Sequence, residues 1–164
     1  MAGHANAVGN AAYLKTRYTM NKAMGEKLNG SEFLLTIIGH EELSALIRTA
    51  QLPERTREDV EDYGPGGMKY VQHGPIRNSG EMACQCIETI TGKMLAFIKD
   101  AVNNKSYFDV TISAAPESLG GEAPDSLTVT LYDCKIYVDS TDLSTEDVTS
   151  AVRPNLRIVY NFIE

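Results

Sequence analysis

Residues 107–163 constrain the fold through the period of their side chains. Phe108, Val110, Ile112 and Ala114 alternate with Tyr107, Asp109, Thr111 and Ser113, and Leu156, Ile158, Tyr160 and Phe162 alternate with Arg157, Val159, Asn161 and Ile163. Successive side chains of a strand point to opposite faces, so this period marks strands with one face turned to a core. Between them, Leu127, Val129 and Leu131 occupy odd positions, whereas Cys134, Ile136 and Val138 occupy even ones. An inward face changes parity only if an extra residue is inserted or the strand bends from one sheet to another, which places a β-bulge or a bend near Tyr132–Asp133.

The remaining segments fit around these strands. Phe33 to Ile38 is a short apolar run ended by Gly39, read as a buried strand. Residues 41–52 suit a helix through Leu43, Leu46, Ile47 and Ala50, or a strand through Ala45, Ile47 and Thr49 up to Pro53. The charge-dense stretch Pro53 to Gly67, closed by Gly-Pro-Gly-Gly, reads as a long exposed loop. Met68–Val71 and Glu81–Glu88 flank a turn-rich segment and suggest a hairpin. Met94, Leu95, Ile98, Ala101 and Val102 follow helical spacing behind Thr89 and Thr91, which predicts a helix at about 91–103. Residues 116–126 form a Gly/Pro/Glu loop, and residues 139–149 a turn carrying Asp142, Ser144, Glu146 and Asp147. Residues 1–30 lack a sustained period and read as an arm, weakly structured or ordered on assembly. The expected architecture is mainly β with one helix: an antiparallel two-sheet sandwich or barrel, with the helix flanking it, in a single domain over 31–164.

Charge and motifs narrow the chemistry. With 15 Lys and Arg against 22 Asp and Glu, the net charge is -7, which disfavours tight binding to a phosphate backbone. No run of 18 apolar residues is present, and residues 1–30 lack the apolar block of a secretory signal, so no membrane span and folding in a cytoplasm are expected. Cys84, Cys86 and Cys134 offer three thiols without a fourth zinc ligand at a suitable spacing and read as buried and reduced. His4, His40 and His73 stand in no metal-binding pattern. There is no G-x-S-x-G elbow, and Gly25–Gly30 and Gly120–Gly121 lack the Gly-Lys-Ser/Thr of a phosphate loop. Asp59, Glu61 and Asp62 crowd one hydrophilic segment, where they are solvated. No catalytic residue, cofactor or metal is expected. A small ligand-binding β-barrel with an apolar pocket is the alternative from a different class.

The order of short motifs carries a resemblance. Phe-Leu-Leu-Thr-Ile-Ile-Gly at 33–39, Leu52-Pro53, Val-Glu-x-Tyr at 60–63, Arg-Asn-Ser-Gly-Glu at 77–81, Tyr-Asp-Cys-Lys-Ile at 132–136 and Asp-Leu-Ser-Thr-Glu-Asp-Val at 142–148 precede a terminal strand. Over residues 31–164 this resembles the tail tube proteins of contractile-tailed bacteriophages, a family that includes the haemolysin-coregulated protein of type VI secretion. The resemblance implies a structural, non-enzymatic virion protein, assembled in the host bacterial cytoplasm, whose homo-hexameric rings stack into the inner tail tube. Its implied partners are tail sheath, tape-measure and baseplate proteins, with double-stranded DNA passing through the lumen without tight binding and no membrane contact. Pro53, Glu54, Arg55, Arg57, Glu58, Asp59 and Tyr63 become the expected contacts between rings or subunits, and Glu81 and Glu88 the expected lumen residues. The arm leaves room for a baseplate-proximal tube initiator, and a type VI secretion ring protein is the other reading within the family.

Overall fold

The computed structural model describes residues 8–164. The chain divides after Ser31 into two compact units. In the first, α1 (Ala11–Ala23) is a helix whose N-cap Asn10 accepts a hydrogen bond from Tyr13 N at 3.0 Å. The sequence reading expected no regular element here. Tyr13, Leu14, Tyr18 and Met20 share one side of the helix, but Arg17 and Asn21 lie among them and break any continuous apolar stripe, and none of its side chains is buried. His4, read above as part of the arm, lies outside the described residues.

The second unit contains β1 (Leu34–Ile37), β2 (Ile47–Thr49), β3 (Arg57–Tyr63), β4 (Lys69–Ile76), β5 (Gly80–Cys86), α2 (Lys93–Asn103), β6 (Phe108–Ser113), β7 (Thr128–Val138), β8 (Asn155–Tyr160) and β9 (Phe162–Ile163). Seven strands form one antiparallel sheet, ordered β1-β6-β7-β8-β5-β2 with β9 added to β7, which curls into a nearly closed barrel. The fold class is the mainly β one read from the sequence.

β7 joins the two halves of this barrel. Its first part pairs with β6 and its last four residues with β8. Between them, Phe108 lies opposite Cys134 but Val110 opposite Leu131, so Tyr132 and Asp133 face the single residue Asp109. This is the bulge that the parity change predicted. Asp133 takes a left-handed backbone (φ 51°), which Asp tolerates better than most residues. Three contacts hold it: the Asp133 amide donates to the Asp109 carboxylate at 3.2 Å, Asn161 Nδ2 donates to the Asp133 carbonyl at 3.0 Å, and Asn161 N donates to the Tyr132 carbonyl at 3.2 Å.

The buried faces meet in one core. Leu35, Ile37, Val110, Ile112, Val129 and Leu131 come from one half, Met82, Cys84, Cys86, Ile136, Leu156, Ile158 and Tyr160 from the other, with Met94 and Ile98 of α2 and Leu43 covering them. Tyr160 is among the largest fully buried side chains, and its hydroxyl would sit 2.6 Å from a Cβ at Gly80. The Gly of the Arg-Asn-Ser-Gly-Glu motif is therefore required by close approach of this ring. Residues 41–52 use both of their readings, a 3-10 turn over Glu41–Leu46 followed by β2.

Two expectations are corrected. Residues 53–67 are not a loop: β3 pairs with β4 as a separate two-stranded hairpin, closed by a turn in which Gly66 and Gly67 have φ of 76° and 75°. Every side chain of β3 is exposed, so no buried face imposes an apolar alternation, and cross-strand contacts such as Lys69 Nζ to Glu61 Oε1 at 2.6 Å support the ribbon instead. The hairpin expected between 68–71 and 81–88 does not form, because β4 takes β3 as its partner while the alternating Met82, Cys84 and Cys86 draw β5 into the barrel between β8 and β2.

Helix α2 starts close to where its spacing predicts, with Thr89 Oγ1 accepting from Lys93 N at 3.3 Å as a cap, and Glu88, expected in a lumen, adds a second cap. Glu88 Oε1 accepts from Thr89 N at 2.7 Å and Met94 N at 3.2 Å, and Oε2 accepts from Leu95 N at 2.7 Å, which places a carboxylate on the amides of the first turn. Two outcomes follow for urea unfolding followed by circular dichroism. Asp133→Gly leaves stability within about 0.5 kcal/mol, whereas Asp133→Val, branched and in a left-handed position, lowers it by ~1–3 kcal/mol. Glu88→Ala lowers it by ~1–2 kcal/mol, with Glu88→Gln between the two.

Candidate functional site

The groups that commonly do chemistry are tied into packing. Burial pushes the Cys84, Cys86 and Cys134 thiols up to about 12, 11 and 12, so at neutral pH they are protonated and pack as small apolar side chains. His40 packs tilted against Phe97 and edge-on to Phe108, with ring centroids 4.6 and 5.7 Å away, and its Nδ1 lies 4.0 Å from Glu42. Among the described residues, no group of three or more His, Cys, Asp and Glu side chains is arranged to hold a metal ion. The informative surfaces are the edges of the barrel, its outward face and the hairpin.

β1 and β2 end the strand order, so each leaves one row of backbone groups without a strand partner. Beyond the short β2, Gln51 Oε1 accepts from Ala83 N at 3.2 Å and closes one further position on the flank of β5. The outward face of β5, β8 and the end of β7 is polar. Glu81 Oε2 lies 3.9 Å from Arg157 Nη1, the Arg157 guanidinium lies 5.4 Å from the centre of the Tyr137 ring, and Gln85 Nε2 donates to Asn155 Oδ1 at 3.1 Å. Glu81 stands in a row with Val159 and Lys135, which makes this face mixed in charge. Glu88 is not on this face: it lies past the end of β5, on the first turn of α2. The structure does not bring the two glutamates together.

The hairpin root does gather most of the residues singled out in the sequence. Arg55 Nη2 donates to the main-chain oxygen of Glu164 at 2.7 Å, Arg57 Nη1 donates to the Gly74 carbonyl at 3.2 Å, and Asp59 pairs in register with His73. Glu54 and Glu58 both approach Arg77, at 3.5 and 3.9 Å. Pro53 is half-buried ahead of them. Tyr63 stands apart at the far end of β3, 66% exposed and roughly 20 Å away at ~3.3 Å per residue. Arg77 and His73 were missed as members of this cluster; the Arg-Asn-Ser-Gly-Glu motif contains the first, but its sequence distance from residue 54 hides the contact.

No protein-family profile and no curated protein match the sequence. The architecture does match solved structures. A chain of an extracellular contractile injection system, from the PVC sheath-tube complex in its extended state, superposes with a TM-score of 0.65 over 89% of this chain and 95% of that one, at 12% identity. A chain of the anti-feeding prophage cap, described as the tube-terminating cap, gives 0.63 over 100% and 97% at 13% identity. A chain of the anti-feeding prophage baseplate gives 0.60 over 86% and 96%, also at 13% identity. At such identities the likeness is one of fold. The fold of this chain is therefore the contractile-tail-tube-like one that its motif order resembles.

Proposed function

We propose that this chain is a structural, non-enzymatic subunit of a contractile tail or tail-like particle, in which homo-hexameric rings stack into a hollow inner tube. The observation that carries the reading is the combination of this fold with a barrel left open at β1 and β2 and a hairpin exposed on both faces. An isolated two-stranded hairpin is marginal in water, and open sheet edges invite pairing, so both features suit a protein completed by copies of itself. Joining β1 of one subunit to β2 of the next would continue the sheets around a ring. The hairpin, with Pro53, Glu54, Arg55, Arg57, Glu58, Asp59 and Tyr63, then makes the contacts between rings or subunits.

In this reading the outward face of β5, β8 and β7 lines the lumen. Glu81 contributes there with Arg157 beside it, and a mixed, polar lining fits a passage through which double-stranded DNA slides without being held. Tail sheath, tape-measure and baseplate proteins are the expected partners, and the assembled virion tail, built in the host bacterial cytoplasm, is the location. A place at one end of the tube is the second reading. What supports it is the match to the tube-terminating cap structure, which spans 100% of this chain.

Sedimentation velocity over a concentration series tests the proposal. The full chain is expected to form species of six subunits and larger, whereas a variant with residues 58–73 replaced by a Gly-Gly turn keeps its circular dichroism melt and stops at single rings or monomers. Unchanged long assemblies from the shortened variant would remove the hairpin from the interface, and a full chain that stays monomeric throughout would overturn the ring-forming subunit itself.

A further inference from the structure

The hairpin root encloses a cleft of about 510 Å³, lined by Arg55, Arg57, Asp59, His73, Ile76 and Arg77. Its guanidinium groups differ in what they already hold. Arg77 is shared between Glu54 and Glu58. Arg57 meets the Gly74 carbonyl and Arg55 the main-chain oxygen of Glu164, and neither is paired with a side-chain carboxylate among the described residues. Asp59 is the carboxylate of the lining itself, and it too forms no ion pair among the described residues. A guanidinium presents a planar fork suited to two carboxylate oxygens, and each of these contacts engages a single nitrogen of it.

A complementary surface stands at the opposite end of the same strands. β5 and β8 pair from Gly80–Tyr160 at one end to Gln85–Asn155 at the other, five steps or roughly 17 Å at ~3.3 Å per residue. The cleft lies at the Gly80 end, because residues 77–79 lead directly into β5. The segment 139–154 lies at the Asn155 end, fixed by Asp139 N donating to the Asn155 carbonyl at 3.0 Å and Cys86 N donating to the Pro154 carbonyl at 3.1 Å. Residues 139–152 carry Asp139, Asp142, Glu146 and Asp147 and no Lys or Arg. All four carboxylates are exposed, and none is in an ion pair among the described residues. Among them Leu143 is 78% exposed, an apolar side chain with nothing of its own to cover it.

We infer that the cleft receives the acidic segment 139–147 of a second copy of this chain, with Arg55 and Arg57 taking its carboxylates and Ile76 providing an apolar wall for Leu143. This rests on the stacking proposed above and names the two surfaces that meet. Because they sit at opposite ends of the strands, the contact is head-to-tail, and such a contact repeats without closing on itself. It also gives the assembly a direction, since a cleft cannot dock on a cleft.

Charge exchange tests the pairing. Arg55→Glu with Arg57→Glu produces a chain acidic at both ends, and Asp142→Arg with Asp147→Arg produces one basic at both ends. Each variant alone is expected to need about tenfold more protein than the wild type to form long assemblies by sedimentation. An equimolar mixture is expected to return to within about twofold of the wild-type threshold, because each variant then supplies what the other lacks. Circular dichroism melts report whether each variant folds; if the glutamate pair does not, Arg55→Gln with Arg57→Gln must raise the threshold in the same direction. Wild-type assembly together with a mixture that shows no recovery overturns this pairing while leaving the stacking proposal standing. A wild-type chain that never assembles overturns both.

Discussion

The bulge at Tyr132–Asp133 is the constraint on which the rest of the architecture depends. A regular β7 would turn one of its two apolar sets, either Val129 and Leu131 or Cys134 and Ile136, out to solvent. With one extra residue in a left-handed conformation, the strand keeps both sets inward and passes from the β6 side of the barrel to the β8 side. The cost of that backbone state, about 1–2 kcal/mol, is offset by hydrogen bonds from both neighbouring segments, through Asp109 and Asn161. The barrel core, the seat of α2 and the opposed ends of β5 and β8 all follow from this continuity.

What the core leaves unsatisfied is as informative as what it buries. The barrel ends at β1 and β2, a hairpin of two exposed strands extends from it, and an arginine-lined cleft and an acidic segment lie at opposite ends of β5 and β8. A protein that acts alone usually covers its edges or blunts them. Here one side chain, Gln51, closes a single position beyond β2, and the hairpin strands stay exposed. The assembly from identical copies proposed above would cover the edges and the ribbon together.

The sequence was most legible where a buried face imposes a period. The strands at 108–113 and 155–160, the helix at 93–103 and the bulge at 132–133 all have side chains that must choose between core and water, and that choice is written in their alternation. The hairpin was illegible for the same reason in reverse: with no buried face, Arg57–Tyr63 carries charges on both sides and reads as a loop. Helix α1 likewise lacks a buried stripe. At the candidate surfaces, proximity in sequence found Glu54 to Asp59, but the joining of Arg77 and His73 to them depends on the β3–β4 pairing, which was not foreseen. Glu88 illustrates a different limit, since a carboxylate five residues before a helix caps it only when the intervening turn folds back, as it does here.

The central claim is that this fold is one segment of a hollow, repeating structure rather than a finished barrel. Negative-stain electron microscopy of the purified full chain across a concentration series addresses it directly. The account predicts six-fold rings with an open centre, joining end to end into hollow tubes as concentration rises. Single compact particles of one subunit at every concentration would contradict it and move the assignment towards a self-contained ligand-binding barrel.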